Sequence, residues 1–355
     1  MKIAAIPGDG IGLEVLPAAT KVVDAALSGS GRAVQWTWFD WGCDYFHETG
    51  RMMPSDGLDI LENFDAVFLG AVGRPDVPDH ESLWGLLIPI RRQFDQYVNL
   101  RPVRLFNGIA PRVVLPDGVT VDMMIIRENA EGEYSEIGGR FAQGTDREIA
   151  LQENVFSRFG IERITRYAAD QARHRRGLVT SATKSNGIIH TMPFWDEVVT
   201  DVAGEYPDVE FGSRLIDALA AELVLKPQEF DVIVASNLFG DILSDLAAAV
   251  VGGLGVAASA NLNPARAHPS MFEPVHGSAP DIAGQGIANP IAAVWSAALM
   301  LDHLGETTTA ARIMSAIEAT LSSPETRTGD LGGTANTEGA TQALIDALGA
   351  AEDVR

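Results

Sequence analysis

The feature that most restricts the fold is a repeated pairing along the chain. A short, uniformly apolar run is followed by a stretch with helical spacing. The runs at 2–7 (KIAAIP), 64–73 (FDAVFLGAVG), 121–132 (VDMMIIRENAEG) and 230–241 (FDVIVASNLFGD) each end in a proline, a glycine loop or a polar loop. Residues 12–27 follow the first run, with Leu13, Leu16, Ala19 and Val23 on one helical stripe. Strands that are apolar on both faces and separated by helices predict an α/β protein with a mainly parallel sheet covered on both sides. Ligands of such sheets sit beyond the carboxyl ends of the strands.

The length of 355 residues predicts two domains or one large α/β unit, at roughly 100–200 residues per domain. Cys43 is the sole cysteine, so no intrachain disulfide forms, in keeping with a reducing cytosol. The start, MKIAAIPGDGIG, has an apolar run too short for a signal peptide. No run reaches the ~18 apolar residues of a spanning helix. Acidic residues number 48 against 26 basic, a net charge of −22, which repels phosphate backbones and anionic lipids. The expectation is a cytoplasmic protein that binds neither nucleic acid nor membrane. Residues 130–150, glycine-rich and polar, fit either a projecting hairpin or a plain surface loop.

Gly8, Gly10 and Gly12 stand between the first strand and the first helix, which invites a dinucleotide-binding reading. The Rossmann fingerprint G-x-G-x-x-G requires a glycine where this chain has Leu13, and an acidic strand end ~20 residues later. Neither is present, so the loop is read first as a tight strand-to-helix turn.

Asp241 and Asp245 are four apart at the start of a helix, on one face and one turn apart. Two carboxylates so placed repel unless something compensates, and a hard divalent cation such as Mg²⁺ or Mn²⁺ does so. The same spacing also fits Asp241 as a helix cap with Asp245 in solvent. Asp217 is a possible third ligand. Arg91, Arg101 and Arg127 lie at strand and loop ends, where guanidinium forks bind carboxylates. Tyr134 and Lys184, in AEGEYSE and TSATKSNG, are acid–base candidates.

Together these residues belong to longer motifs: IPGDGIG, RRQFDQYVNLRP, IIRENAEGEY, TKSN, SNLFGDILSDLA, FEPVHGSAPDIAGQGIANP and DLGGTANT. Over nearly its whole length the chain resembles the metal-dependent β-decarboxylating dehydrogenases, the family of isocitrate and 3-isopropylmalate dehydrogenases. DHESLWGLLIPIRRQFDQYVNLRPVRLF and TSATKSNGIIHTMPFWDE carry a closer likeness to the branch acting on D-malate and tartrates.

The resemblance implies a fold unrelated to the Rossmann domain, with two domains and a mixed, largely parallel sheet. One domain joins both chain ends, about 1–99 and 252–355. The other, about 100–251, makes homodimer contacts and carries an arm around 130–150. It also implies an active site shared between two subunits. Asp241 and Asp245 bind Mg²⁺ or Mn²⁺ with Asp217 of the partner subunit. Arg91, Arg101 and Arg127 clamp substrate carboxylates, and Tyr134 and Lys184 of the partner subunit form the acid–base pair. NAD lies along His276, Gly277, Ser278, Ala279, Asp281, Ile282 and Asn289, with Asp281 accepting from the adenosine ribose 2′-OH. K⁺ is raised as a further requirement.

Substrate choice is expected just before Arg91. Isopropylmalate enzymes carry an acidic residue seven positions earlier and a leucine four earlier, where this chain has Trp84 and Leu87. A tryptophan filling that space favours hydrogen or hydroxyl at C3, unless Trp84 simply packs into the core. The implied activity is NAD-dependent oxidation of a small 2-hydroxy dicarboxylic acid with β-decarboxylation. The alternative within the family is 3-isopropylmalate dehydrogenase.

Overall fold

The computed structural model describes residues 1–116 and 118–350; residues 351–355, the tail of the expected terminal domain, lie outside the described residues. In chain order the strands are β1 (Lys2–Gly8), β2 (Gln35–Trp38), β3 (Ala66–Ala71), β4 (Val98–Arg104), β5 (Asp122–Glu128) and β6 (Gly138–Phe141). There follow β7 (Ile149–Gln152), β8 (Leu178–Thr183), β9 (Glu210–Leu215), β10 (Val232–Ala235), β11 (Ala258–Leu262) and β12 (Ser270–Pro274). The helices are α1 (Gly12–Leu27), α2 (Cys43–Thr49), α3 (Gly57–Leu61), α4 (Asp79–Ser82), α5 (Ile88–Gln93) and α6 (Arg158–Arg173). The last six are α7 (Thr191–Ala203), α8 (Ile216–Leu225), α9 (Asn237–Val251), α10 (Ile291–His303), α11 (Thr307–Ser322) and α12 (Thr337–Ala350).

The chain forms two compact units. One comprises Met1–Gln96, Arg104–Arg112 and Ala248 to the C-terminus; the other comprises Tyr97–Val103 and Val113–Ala247. In the first, the strand order is β2-β1-β3-β12-β11. All neighbours are parallel except β11 and β12, where Ser259 faces Glu273. β3 is buried along its whole length, as its unbroken apolar run requires. Leu16, Ala19 and Val23 of α1 are fully buried, but Leu13 is 57% exposed. Leu13 sits well off the centre of the buried arc that these residues define, so the predicted stripe holds without its first member. The segment Arg104–Arg112 is tied into this unit by Phe106, which meets Trp295 edge-on, and by an Arg104–Glu318 ion pair at 2.6 Å.

In the second unit the order is β4-β5-β10-β8-β9, and β5, β10, β8 and β9 run parallel. Ile125, Ile126 and all of β10 are buried, as are Ile161, Ile164 and Ala168 of α6, and Trp195 donates its indole N–H to Ser181 Oγ at 2.9 Å. The region read as hairpin or loop is an antiparallel ribbon of β6 and β7, exposed throughout, with Gly139 opposite Leu151. No helix among the described residues is long and apolar enough to cross a membrane.

Candidate active site

Register brings the first cluster together. Arg127 at the end of β5 stands beside Ala235 at the end of β10, and α9 starts two residues later. A Cβ on Gly240 would lie 2.6 Å from Cβ and Cγ of Arg127, so only glycine lets α9 pass this close to β5. Asp241 and Asp245 therefore fall in the second and third turns of α9. Asp241 is not the helix cap, because the helix begins a full turn before it.

Arg127 is 2% exposed and donates to Asp241 Oδ1 at 2.5 Å and to Asn237 Oδ1 at 2.6 Å. Arg101, from β4, donates to Asn99 Oδ1 at 2.8 Å, to Ser244 Oγ at 2.6 Å and to Asp245 Oδ1 at 3.2 Å, and lies 3.2 Å from Asp241 Oδ1. Tyr134 donates its hydroxyl to Asp241 Oδ2 at 3.1 Å, with the Arg127 guanidinium 5.5 Å from its ring centroid. Partial burial raises the Tyr134 phenol above its ordinary pKa, and the Asp241 carboxylate adds to the rise. Burial likewise raises the Asp245 carboxyl, with Arg101 opposing and Asp241 reinforcing the shift. Two arginines, two aspartates and a tyrosine thus form one hydrogen-bonded constellation.

Lys184 and Asp217 form a separate pair, Nζ to Oδ1 at 2.7 Å, and this lysine holds the Asp217 carboxyl below its usual range. Among the described residues no three His, Cys, Asp or Glu side chains converge as a metal ion requires, so within one chain Asp217 does not complete the Asp241–Asp245 pair. Those two carboxylates are joined through Arg101 on one helix face and offer hard oxygens, a donor chemistry that suits Mg²⁺ or Mn²⁺.

In the other unit, Arg91 lies near the end of α5, 9% exposed, and donates from NH2 to Glu273 Oε1 at 2.7 Å; Asn261 Nδ2 donates to the same oxygen at 2.8 Å. Leu87 is buried in the core with Leu86, Ile90 and Met52. Leu83–Leu87 is wound as a wide π-type turn between α4 and α5, and Trp84 in it lies under Arg92, 4.8 Å from guanidinium to ring centroid. Such a turn rotates Trp84 by roughly a quarter turn from the position a straight helix would give it relative to Arg91.

A cavity of about 680 Å³ is lined by His276, Gly277, Ala279, Ile282 and Asn289, together with Ile11, Leu254, Ile287 and the stretch around Asp330 and Thr334. Its volume and its mainly small or apolar lining suit a cofactor fragment. His276 Nε2 is buried there without a hydrogen-bond partner, and burial lowers its imidazole pKa, so the ring is neutral and has one nitrogen available. Ser278 is buried beside it and accepts the Ile11 N–H through its carbonyl at 2.8 Å. Gly10, at φ +56°, would put a Cβ 2.0 Å from that carbonyl. The first glycine loop is therefore a turn interlocked with the HGS loop, and Ile11 reaches the cavity. Asp281 is exposed on the next turn, outside the lining.

The residues without an assigned role in the sequence are those that hold others: Glu133, Asn99, Asn237 and Ser244 in one unit, Glu273, Asn261 and Asp330 in the other. Asp330 accepts from Asn289 Nδ2 at 3.0 Å. Apart from Asn261, which lies outside the longer motifs, their only sequence signal was membership in them, DLGGTANT for Asp330 and FEPVHGS for Glu273.

A two-unit α/β fold with a carboxylate–arginine–tyrosine cluster in one unit and a small-residue cavity in the other defines a class. A family model described as isocitrate/isopropylmalate dehydrogenase matches residues 2–348, and the chain belongs to that family. It is 53% identical over 349 residues, 98% of each chain, to a probable tartrate dehydrogenase/decarboxylase of Bacillus subtilis (strain 168). It is 55% identical over 308 residues to the D-malate dehydrogenase [decarboxylating] of Escherichia coli (strain K12), covering 86% of this chain and 85% of that one. The crystal structure of isocitrate dehydrogenase from Methylococcus capsulatus superposes with a TM-score of 0.88 at 38% identity, covering 98% of this chain and 99% of that one.

Proposed function

We propose that the chain is a decarboxylating dehydrogenase. It oxidises a small 2-hydroxy dicarboxylic acid, D-malate or a tartrate, using NAD and Mg²⁺ or Mn²⁺, and then releases CO₂ from the adjacent carbon. The observation that carries this reading is the constellation of Arg101, Arg127, Tyr134, Asp241 and Asp245. The likeness to enzymes named for tartrate and D-malate supports the substrate class.

Asp241 and Asp245 hold the ion with Asp217 of the partner subunit. His276, Gly277, Ser278, Ala279, Ile282 and Asn289 hold NAD, and Asp281 accepts from the ribose 2′-OH and repels a 2′-phosphate. When bound, the ion supplies Lewis acidity at the substrate oxygens and the nicotinamide a two-electron acceptor. Arg91, Arg101 and Arg127 orient the carboxylates, with forks that match carboxylate geometry. Nζ of Lys184 of the partner subunit takes the C2 hydroxyl proton. After CO₂ is lost, the Tyr134 hydroxyl delivers a proton to C3. Trp84 and Leu87 restrict the C3 substituent to hydrogen or hydroxyl.

The shared site makes the active form a homodimer. The exposed apolar residues Ile137, Phe141, Ile149 and Leu151 on and beside the ribbon support this, since solvent is a poor environment for such a patch. The enzyme acts in the cytoplasm. The test is NADH formation with Mn²⁺ and NAD⁺, with and without K⁺, across D-malate, L- and meso-tartrate, 3-isopropylmalate and isocitrate. Preference for D-malate or a tartrate is expected; preference for 3-isopropylmalate would overturn the substrate assignment.

A further inference from the structure

β10 ends at Ala235 and α9 begins at Asn237, with Ser236 between them. A helix start leaves N–H groups that a local Ser, Thr, Asp or Asn side chain ordinarily accepts. Ser236 is fully buried, yet its hydroxyl donates away from the helix, to Glu133 Oε1 at 2.7 Å. Glu133 Oε2 accepts the N–H of Leu238 at 3.0 Å. The cap of α9 is thus imported from 103 positions earlier, and it brings the negative charge that the positive end of a helix favours.

The residue after this cap is Tyr134, whose hydroxyl reaches Asp241 in the second turn of the same helix. The residue before it, Gly132 at φ +107°, runs so close that a Cβ there would lie 3.3 Å from that of Asn237. The loop therefore grips α9 through two consecutive side chains, one at the first free N–H groups and one at Asp241.

We infer that Glu133 is a positioning residue for the proton-delivery step: by anchoring its loop to the start of α9 it fixes where the Tyr134 hydroxyl stands. This rests on the reading of Tyr134 as the acid. In that step the Tyr134 O–H bond breaks and a C3–H bond forms. The enolate left by CO₂ loss becomes the keto acid, and the phenolate regains its proton from water. A carboxylate that merely stabilised α9 would change the melting temperature and leave the face of protonation untouched.

The experiment uses D-malate stereospecifically deuterated at C3, turned over with Mn²⁺ and NAD⁺ in tritiated water, so that the pyruvate methyl is chiral if the proton arrives from one face. Wild type should give one handedness. Glu133→Ala should give largely racemic methyl and a kcat lower by on the order of tenfold to a hundredfold, as for small misplacements of a reacting group. Glu133→Gln should restore handedness, because an amide can accept from Leu238 and donate to Ser236. Ser236→Ala, which removes one of the two anchors, should fall between and serves if Glu133→Ala does not fold. Wild-type handedness in both Glu133→Ala and Ser236→Ala, whatever their melting temperatures, would overturn the inference. Racemic pyruvate from wild type, or unchanged handedness in Tyr134→Phe, would instead remove the acid role on which it rests.

Discussion

Glu128 closes β5 with a fully enclosed carboxyl. One oxygen accepts the N–H groups of Ala130 at 2.6 Å and Glu131 at 3.1 Å; the other is buried without a partner. Burial pushes its pKa up to about 8 from the usual 4.5, with those N–H groups pulling the other way. The folded state thus holds its proton while the unfolded chain has lost it, and stability falls as pH rises between those two values and levels off above the upper one. Glu128→Gln should flatten melting temperature against pH across that window; an unchanged slope would show that Glu128 ionises freely in the fold. Lys184→Met should lower kcat by roughly 10²–10⁴-fold, the range for a lost acid–base group, with NAD⁺ binding by fluorescence unaffected. At this scale Asp241 and Asp245 could be paired from spacing alone, since i and i+4 share a helix face. Glu133 and Glu273 could not, because each meets its partner only through tertiary approach, 103 and 182 positions away.

Among the elements, the interlock of the first turn with the HGS loop sets a sharp steric limit. Gly10→Ala would need φ near +56° and a Cβ 2.0 Å from the Ser278 carbonyl, so both loops must shift. We expect a loss of about 1–3 kcal/mol in urea unfolding, the usual scale of such backbone strain, together with weaker NAD⁺ binding. Wild-type values for both would show that the two loops can part at no cost. The wide turn over Leu83–Leu87 carries Trp84, the residue proposed to set substrate choice. Trp84→Ala should raise kcat/KM for 3-isopropylmalate relative to D-malate, and an unchanged ratio would assign the tryptophan to packing against Arg92 alone. Parallel strands and α1 were legible because buried apolar runs and 3.6-residue stripes have a direct sequence signature. The wide turn was not, since counting seven residues back from Arg91 presumes regular helical winding. Leu13 misled for a simpler reason: it sits well off the centre of the arc that Leu16, Ala19 and Val23 define, so including it placed the stripe too wide.

For the whole molecule, the assignment of Lys184 and Asp217 to the partner's site has a direct genetic test. Subunits carrying Asp241→Asn and subunits carrying Asp217→Asn are each expected to be inactive. Mixed after reversible dissociation, they should regain activity, because each heterodimer then contains one site with both aspartates intact. Continued inactivity of the mixture would return all the ligands to a single chain. The walls of the cavity around His276 carry a different consequence, one that concerns synthesis. Ile11 lines the same cavity as Gly329, Asp330 and Thr334, which are made far later in translation. The unit that contains Asp241, by contrast, is complete once Ala247 has emerged. A ribosome-stalled chain ending near residue 310 should hold a protease-resistant segment around 113–247 and bind no NAD⁺. The unit that carries the carboxylate–arginine cluster is thus ready to fold during translation, and the unit that holds the cavity must wait until the stretch around residues 329–335 has emerged.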